Sequence, residues 1–429
     1  MWEFDEEQGM LIDDETDCII CDVKLTHPNN DAYYEAVLPE GIEQIGEYAF
    51  YYCTCLTAIK IPDSVKIIAP SAFEGCSALT SVTIPNGVTS IGSSAFEGCS
   101  ALTNITIPDS VTNISDSAFS NCSALANITV SSGNTKYHSE NNCLIETKSK
   151  TLILGCKSSI IPSDGSVTSI GDGAFNTCNE LTNIVIPDCV TSIGEFAFYN
   201  CHKLTSVSIG NNVTEISTYA PFSSCSSLTH ITVSSGNTKY HSVNNCLIET
   251  KSKALILGCK SSIIPSDGSV TSISARAFEG CSEMTSIVIP DSITSIGWDA
   301  FNYCNSLTSI TVSDGNPRYY SENNCLIAAD MEVLVRGCNT SIIPTDGSVS
   351  SINFRAFSGC HELTNINIPD SITHIGLDAF GSCNKLTNIS FNGTKAQWIA
   401  IKKSSLGENT DDYIIHCTDG DLDKNDEEV

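Results

Sequence analysis

Apolar and polar positions recur along this chain with a period of 23 residues. From Ile84 it reads IPNGVTSIGSSAFEGCSALTNIT and from Ile107 IPDSVTNISDSAFSNCSALANIT. The same frame returns at Leu38, Ile61, Ile161, Ile186, Ile209, Ile264, Ile289, Ile343 and Ile368, giving eleven copies. Two added residues, such as Ser163-Asp164, stretch the copies at Ile161, Ile264 and Ile343 to 25, and the copy at Ile209 carries one more near Pro221. In the copy beginning at Ile84 the apolar places are Ile84, Val88, Ile91, Ala95, Phe96, Cys99, Leu102 and Ile105. A unit this short cannot enclose a core of its own. A repeated apolar set makes physical sense only if successive coils stack around one shared interior, so the fold class expected is a repeat solenoid.

Within a coil, Leu102-x-x-Ile105-x-Ile107 has the alternation of a short strand, with Ile105 and Ile107 pointing in and Asn104 and Thr106 pointing out. Pro108 ends that strand and turns the chain. A second extended piece, Val111 to Ile114, follows, and Ser117-Ala118-Phe119 through Cys122 is expected to close the coil as a short helical turn on the outer side. Strands of neighbouring coils should pair in parallel at ~4.8 Å.

The frame IPxxVTxIGxxAFxxCxxLTxI closely resembles the BspA-type leucine-rich repeat family, from about Leu38 to Ser390. The likeness extends to the segment Phe391 to Trp398 and the run Ile415 to Gly420, which look like that family's closing cap. The resemblance implies a right-handed β-solenoid with short parallel strands on one face and irregular or short helical turns on the other. It also implies a place on a bacterial or protist cell surface, or secretion, and binding to host matrix proteins, other cells or glycans. The organisation expected is an N-terminal cap over 1–37, the solenoid over 38–390, a C-terminal cap over 391–418 and a solvated acidic tail over 419–429.

Three 31-residue inserts interrupt the repeats, at 130–160, 233–263 and 312–342, and the first two differ at only two positions. Each holds a strand-like run (NCLIET in the first), a turn around Ser149-Lys150 and a second run (TLILGC). Such a segment forms either a β-hairpin or a degenerate extra coil. Because Ser159-Ile160-Ile161-Pro162 rejoins the Ile-Pro strand end, the extra coil is the expectation.

Composition narrows the function. Only 17% of residues are charged, and the formal charge is −29, so a phosphate backbone would be repelled and nucleic acid is excluded as a partner. No apolar run approaches the ~18 residues of a membrane span, so no insertion into a bilayer is expected. The N-terminal MWEFDEEQGMLIDDE is acidic where an export signal would be basic and then apolar, which sets a cytoplasmic placement against the surface location implied by the resemblance.

Of 22 cysteines, eleven fall three residues after the repeat phenylalanine, from Cys53 to Cys383, and read as a ladder of small buried thiols. The insert pairs Cys143/Cys156, Cys246/Cys259 and Cys325/Cys338 share a spacing of thirteen. In a hairpin turning at Ser149-Lys150, Cys143 would lie opposite Cys156, so each pair is a candidate disulfide in an oxidising compartment, with two buried thiols as the alternative. Cys18-Ile-Ile-Cys21 lacks a second pair at metal spacing, and Asp419, Asp421 and Asp423 lack the glycine and the final glutamate of a calcium loop. No HExxH, GxSxG or phosphate-binding loop occurs, and no acid/base pair can be nominated, so neither a catalytic residue nor a cofactor is expected.

The candidate binding surface is the set of outward strand positions. One row comprises Ser81, Asn104, Asn127, Asn183, Ser206, His230, Ser286, Ser309, Asn365 and Asn388. Beside it stand Thr83, Thr106, Thr129, Val185, Ser208, Thr232, Val288, Thr311, Asn367 and Ser390. Repeat proteins bind through such aligned faces. The function expected is therefore a monomeric, non-enzymatic scaffold of adhesion type that takes a protein or glycan ligand on this face. The alternatives are a passive structural spacer and a carbohydrate-active β-solenoid enzyme.

Overall fold

A computed structural model describes residues 2–5, 10–13, 19–22, 34–38, 40–407 and 413–429. The CxxC at Cys18 and most of the segment expected as an N-terminal cap lie outside the described residues. Two compact units are present, Met1–Phe222 and Ser223–Val429. The division falls in the copy that carries the extra residue near Pro221.

Each unit is a β-solenoid. In the first, the strand Asn104–Ile107 pairs in parallel with Asn127–Val130, one repeat on, and Asn183–Ile186 pairs likewise with Ser206–Ile209. Ile105 and Ile107 are buried while Asn104 and Thr106 are exposed, as the alternation requires. The proline that follows has no N–H to leave unpaired in the ladder, and its carbonyl accepts from the amide three residues on (Val88 to Pro85, 3.1 Å), which closes a turn. A second ladder then forms from two-residue strands, Gln44–Ile45, Ile67–Ile68, Ser90–Ile91 and Asn113–Ile114. The second unit repeats the plan in Ser286–Ile289 with Ser309–Val312 and in Asn365–Ile368 with Asn388–Phe391.

The third side of the coil is not a helical turn. Two residues per coil take the left-handed conformation, Ser94 (φ 54°) and Gly98 (φ 72°) in one coil, Ser117 and Asn121 (both φ 59°) in the next. Alternate amides therefore point out of the coil. Those of Ser94, Phe96 and Gly98 donate to the carbonyls of Asp116, Ala118 and Ser120 in the following coil at 3.3, 2.8 and 2.9 Å, while those of Glu97 and Cys99 close turns within the segment. A helix would spend all of them internally. The ~1–2 kcal/mol cost of a left-handed L-residue is thus offset by a third ladder between coils.

That ladder sets the core in register. Phe50, Phe73, Phe96 and Phe119 stack at 5.1, 5.1 and 5.2 Å between ring centroids. In the second unit Phe278 stacks on Phe301 at 5.4 Å and Phe357 on Phe380 at 5.2 Å. Beside the rings, repeat thiols donate to the phenylalanine carbonyl of the preceding coil, as Cys76 does to Phe50 (3.1 Å) and Cys304 to Phe278 (3.2 Å), while Cys281, which follows an insert, donates to Gly258 O (3.8 Å). Burial pushes these thiols up, Cys122 and Cys304 to about 12.

The inserts are antiparallel meanders, not extra coils. In the first, Tyr137–Glu140, Cys143–Glu146 and Thr151–Leu154 run antiparallel, and only the last rejoins the parallel ladder, against Ser169–Ile170. Asn134 starts the insert by clamping the coil before it. Its Nδ2 donates to the carbonyls of Pro108 (2.7 Å) and Val111 (3.0 Å), and its Oδ1 accepts from the amides of Lys136 and Tyr137. The Tyr137 hydroxyl accepts the Ile114 amide (3.1 Å), taking the place of a next strand in the second ladder. Asn316 and Tyr319 do the same in the third insert. Each meander ends on a glycine against which the next phenylalanine ring lies. A Cβ at Gly155, Gly258 or Gly337 would fall 2.0–2.1 Å from Phe175, Phe278 or Phe357.

At the C-terminus, one α-helix occurs among the described residues, Lys395–Ala400, with Thr394 and Gln397 forming a reciprocal cap. The acidic segment is not a solvated tail. Gly420–Leu422 runs antiparallel to Ile414–Cys417, and Leu422 is buried. Asp426 accepts from the indole of the buried Trp398 (2.8 Å), and Asp419 accepts from the Lys395 amide (2.7 Å). The carboxylates of 419–426 thus serve as caps and anchors.

Candidate binding face

The outward strand positions stand where alternation placed them, but in short runs. In the first unit Ser81 and Thr83 lie on Ser81–Thr83, paired with Leu56–Lys60. Asn104 is paired with Asn127 and Thr106 with Thr129, then Asn183 with Ser206 and Val185 with Ser208. Ser206 and Ser208 are half-buried and the others exposed. In the second unit Ser286 is paired with Ser309, Val288 with Thr311, Asn365 with Asn388 and Asn367 with Ser390. There Ser309, Asn367 and Asn388 are half-buried, while His230, Thr232, Ser286, Thr311, Asn365 and Ser390 are exposed. The single row read from sequence is therefore broken where each insert leaves the ladder, and also between Ser81–Thr83 and Asn104–Ile107, which belong to separate sheets.

Parallel pairing puts identical groups side by side, and they bond laterally. The Thr106 and Thr129 hydroxyls lie 2.8 Å apart. Ser206 donates to Asn183 Oδ1 (2.9 Å), and Asn388 Nδ2 donates to Asn365 Oδ1 (3.0 Å). His416 continues that chain, its Nε2 3.1 Å from Asn388 Oδ1 and its Nδ1 3.0 Å from Asp421. Such bonds hold the side chains in fixed rotamers, which lowers the entropy a ligand must overcome.

Three exposed apolar residues escaped the sequence reading. Ile160, Ile263 and Ile342 each precede an Ile-Pro pair, the place that Thr106 holds before Ile107, and they are 70%, 69% and 61% exposed. Val185 and Val288 follow at the same place one repeat on, also exposed. The face is thus polar rows carrying isolated β-branched apolar groups, and the signal was the departure of Ile160 from the threonine of the frame.

The three insert cysteine pairs, each a candidate disulfide or two buried thiols, stand as buried thiols. In the first insert, register runs Glu146 to Thr151, Ile145 to Leu152 and, past a bulge, Leu144 to Leu154, so the ladder stops short of Cys156. The second and third inserts keep the same bulged register, which ends at Leu247 with Leu257 and at Leu326 with Arg336, short of Cys259 and Cys338. Cys143, Cys156, Cys246, Cys259, Cys325 and Cys338 are instead six buried free thiols. Each finds a backbone carbonyl as acceptor. Cys143, Cys246 and Cys325 donate to Ile160 O (3.6 Å), Ile263 O (3.6 Å) and Ile342 O (3.5 Å). Cys156, Cys259 and Cys338 donate to Asn142 O, Asn245 O and Asn324 O, all at 3.8 Å. Burial raises Cys143, Cys246 and Cys325 to about 12. No group of three or more His, Cys, Asp or Glu side chains arranged to hold a metal occurs among the described residues.

Short coils of parallel strands with stacked Ile, Leu and Phe inside define a leucine-rich-repeat solenoid. The chain belongs to the family described as BspA type leucine rich repeat region, whose six-copy model matches residues 43–165, 145–257, 256–326 and 334–410. It is similar to a leucine-rich cell surface protein of Faecalibacterium prausnitzii, at 30% identity over 94% of this chain and 98% of that one, with a TM-score of 0.51. A leucine-rich repeat protein of Bacteroides ovatus matches at 27% identity over 88% and 82% of the two chains, with a TM-score of 0.34. The pneumococcal vaccine antigen PcpA matches at 17% over 85% and 81%, also at 0.34. Comparison with curated proteins finds no match. No helix among the described residues is long and apolar enough to cross a membrane.

Proposed function

We propose that this protein is a non-enzymatic adhesion scaffold that docks a protein or glycan ligand on its outward strand face. The observation that carries the reading is the lateral bonding of in-register Asn, Ser and Thr side chains, which presents fixed donors and acceptors at the strand spacing. The exposed Val185 and Val288 on the same strands favour a protein over a bare glycan, because aliphatic groups that lose water on docking within a polar surround are the pattern of protein interfaces. Likeness to a cell surface protein of near-equal length supports display outside the cell.

The test is a triple substitution in the first unit, Asn104→Lys, Asn127→Lys and Asn183→Lys, measured against a panel of purified matrix proteins and glycans. The native chain should retain at least one of them, and the triple variant should lose it without a change in its circular dichroism. Retention of every ligand by the variant removes the strand face from consideration.

A further inference from the structure

In the coil beginning at Leu38 the residues around the stacked phenylalanine depart from the repeat. Tyr48, Tyr51 and Tyr52 flank Phe50, where the next coil carries Ser71, Glu74 and Gly75 and the one after it Ser94, Glu97 and Gly98. All three rings are exposed, at 49%, 46% and 60%. They meet edge to face, Tyr48 on Tyr51 at 5.3 Å and Tyr51 on Tyr52 at 4.6 Å between centroids. Tyr52 also lies down on the following coil, where a Cβ at Gly75 would fall 2.9 Å from its ring. The three tyrosines thus form one supported aromatic surface.

Its surroundings are acceptors. The amides of Tyr52 and Gly75 donate to the carbonyls of Glu74 and Glu97, both at 2.7 Å, which aligns Tyr51, Glu74 and Glu97 in one row along the third ladder. Desolvation and then the Glu74 carboxylate push the Tyr51 hydroxyl up, so ring and carboxylate are neighbours. Between residues 40 and 135 the only cations are Lys60 and Lys66, which stand on the first ladder and at the start of the second. The main chain adds further acceptors. Among the described residues no amide donates to the carbonyls of Glu47, Ala49 and Tyr51, whereas Pro70, Ala72 and Glu74, their counterparts one coil on, each accept one.

On the phenylalanine side of the second unit, arginines cover such groups. Arg276 lies over Trp298 at 4.4 Å and Arg355 over Phe354 at 4.6 Å. Arg336 donates to the carbonyl of Ser358 (2.9 Å), a residue that holds in its own coil the place of Tyr51. We infer that the tyrosine patch docks an arginine-bearing segment of a protein partner. A guanidinium stacks on aromatic faces and forks its N–H groups toward carboxylates and carbonyls, so one group answers both kinds of neighbour present here. The net charge of −29 draws a basic segment toward the chain. This site lies on the phenylalanine side of the coil and does not depend on the strand face.

The test titrates the full chain, at about 0.15 M salt, with a labelled, acetylated Gly-Arg-Gly-Arg-Gly-Arg peptide and with its lysine and glutamine counterparts, followed by fluorescence anisotropy. The arginine peptide should saturate and bind roughly threefold or more tighter than the lysine peptide of equal charge. Tyr48→Ser, Tyr51→Ser and Tyr52→Gly together leave the net charge unchanged and install residues that other coils carry at these places, as at Ser71, Ser120 and Gly75. That variant should keep its unfolding midpoint and bind the arginine peptide roughly tenfold or more weakly. Glu74→Gln with Glu97→Gln should weaken binding and flatten its dependence on salt. Undiminished binding by the tyrosine variant, equal binding of the lysine or glutamine peptide by the native chain, or no saturation up to ~1 mM overturns the inference.

Discussion

The thiol of Cys99 donates to the carbonyl oxygen of Phe73, one coil earlier, at 3.3 Å. Both belong to the same side of the core, the thiol filling the space beside stacked rings and tying two coils together. Cys99→Ala removes the bond and leaves a small void, while the Phe73 carbonyl keeps its bond from the Cys76 amide (3.2 Å). Urea unfolding of the variant should show a loss of about 1–2 kcal/mol. Phe96→Ala, which opens the ring stack on both sides, should cost about 3–5 kcal/mol.

Stability should fall in alkali. The repeat and insert thiols are raised by burial, Cys360 to about 11 and Cys122, Cys143, Cys246, Cys304 and Cys325 to about 12. Their folded values exceed the unfolded one, so the folded state holds the proton more tightly. The contribution is fully present below about pH 8.5 and is lost as pH rises from there toward the folded values, at about 1.4 kcal/mol per thiol per pH unit. Unfolding midpoints measured from pH 6 to 11 should be flat and then drop; a flat profile to pH 11 would show that these thiols are not held in the core.

Tyr137→Phe tests how the inserts attach. It deletes the acceptor of the Ile114 amide and nothing else. A part-buried N–H left unpaired costs about 1–3 kcal/mol. Hydrogen exchange at Ile114 should speed up while exchange at Phe96, deeper in the stack, stays slow. Equal acceleration at both sites would mean that the insert is not locally docked.

Removal of residues 419–429 should destabilise the second unit. Trp398 would lose the acceptor of its indole N–H, Lys403 its 3.0 Å partner Asp426, and the buried Leu422 would be gone. Calorimetry of the truncated chain should show a lower and broader transition. An unchanged scan would restore the view of this segment as a solvated tail.

What the sequence determined is the coil. Period, strand alternation and the Ile-Pro turn are local properties, since a residue such as Ile105 faces inward in any parallel ladder that buries one side of Asn104–Ile107. The repetition also made the family recognisable. Tertiary structure decided everything that depends on where an amide or side chain finds its partner in another coil. The phenylalanine side became a third ladder because its amides gain bonds between coils that no single coil displays. The inserts became meanders because Asn134 and Tyr137 complete the preceding coil first, and the bulge in each meander carried Cys156, Cys259 and Cys338 past the partners that spacing alone had given them. Segment 419–429 folded back because Trp398 needed an acceptor. The tyrosine patch gained its carboxylates because the third ladder sets Tyr51 beside Glu74 and Glu97, residues a full repeat apart that only stacking brings together.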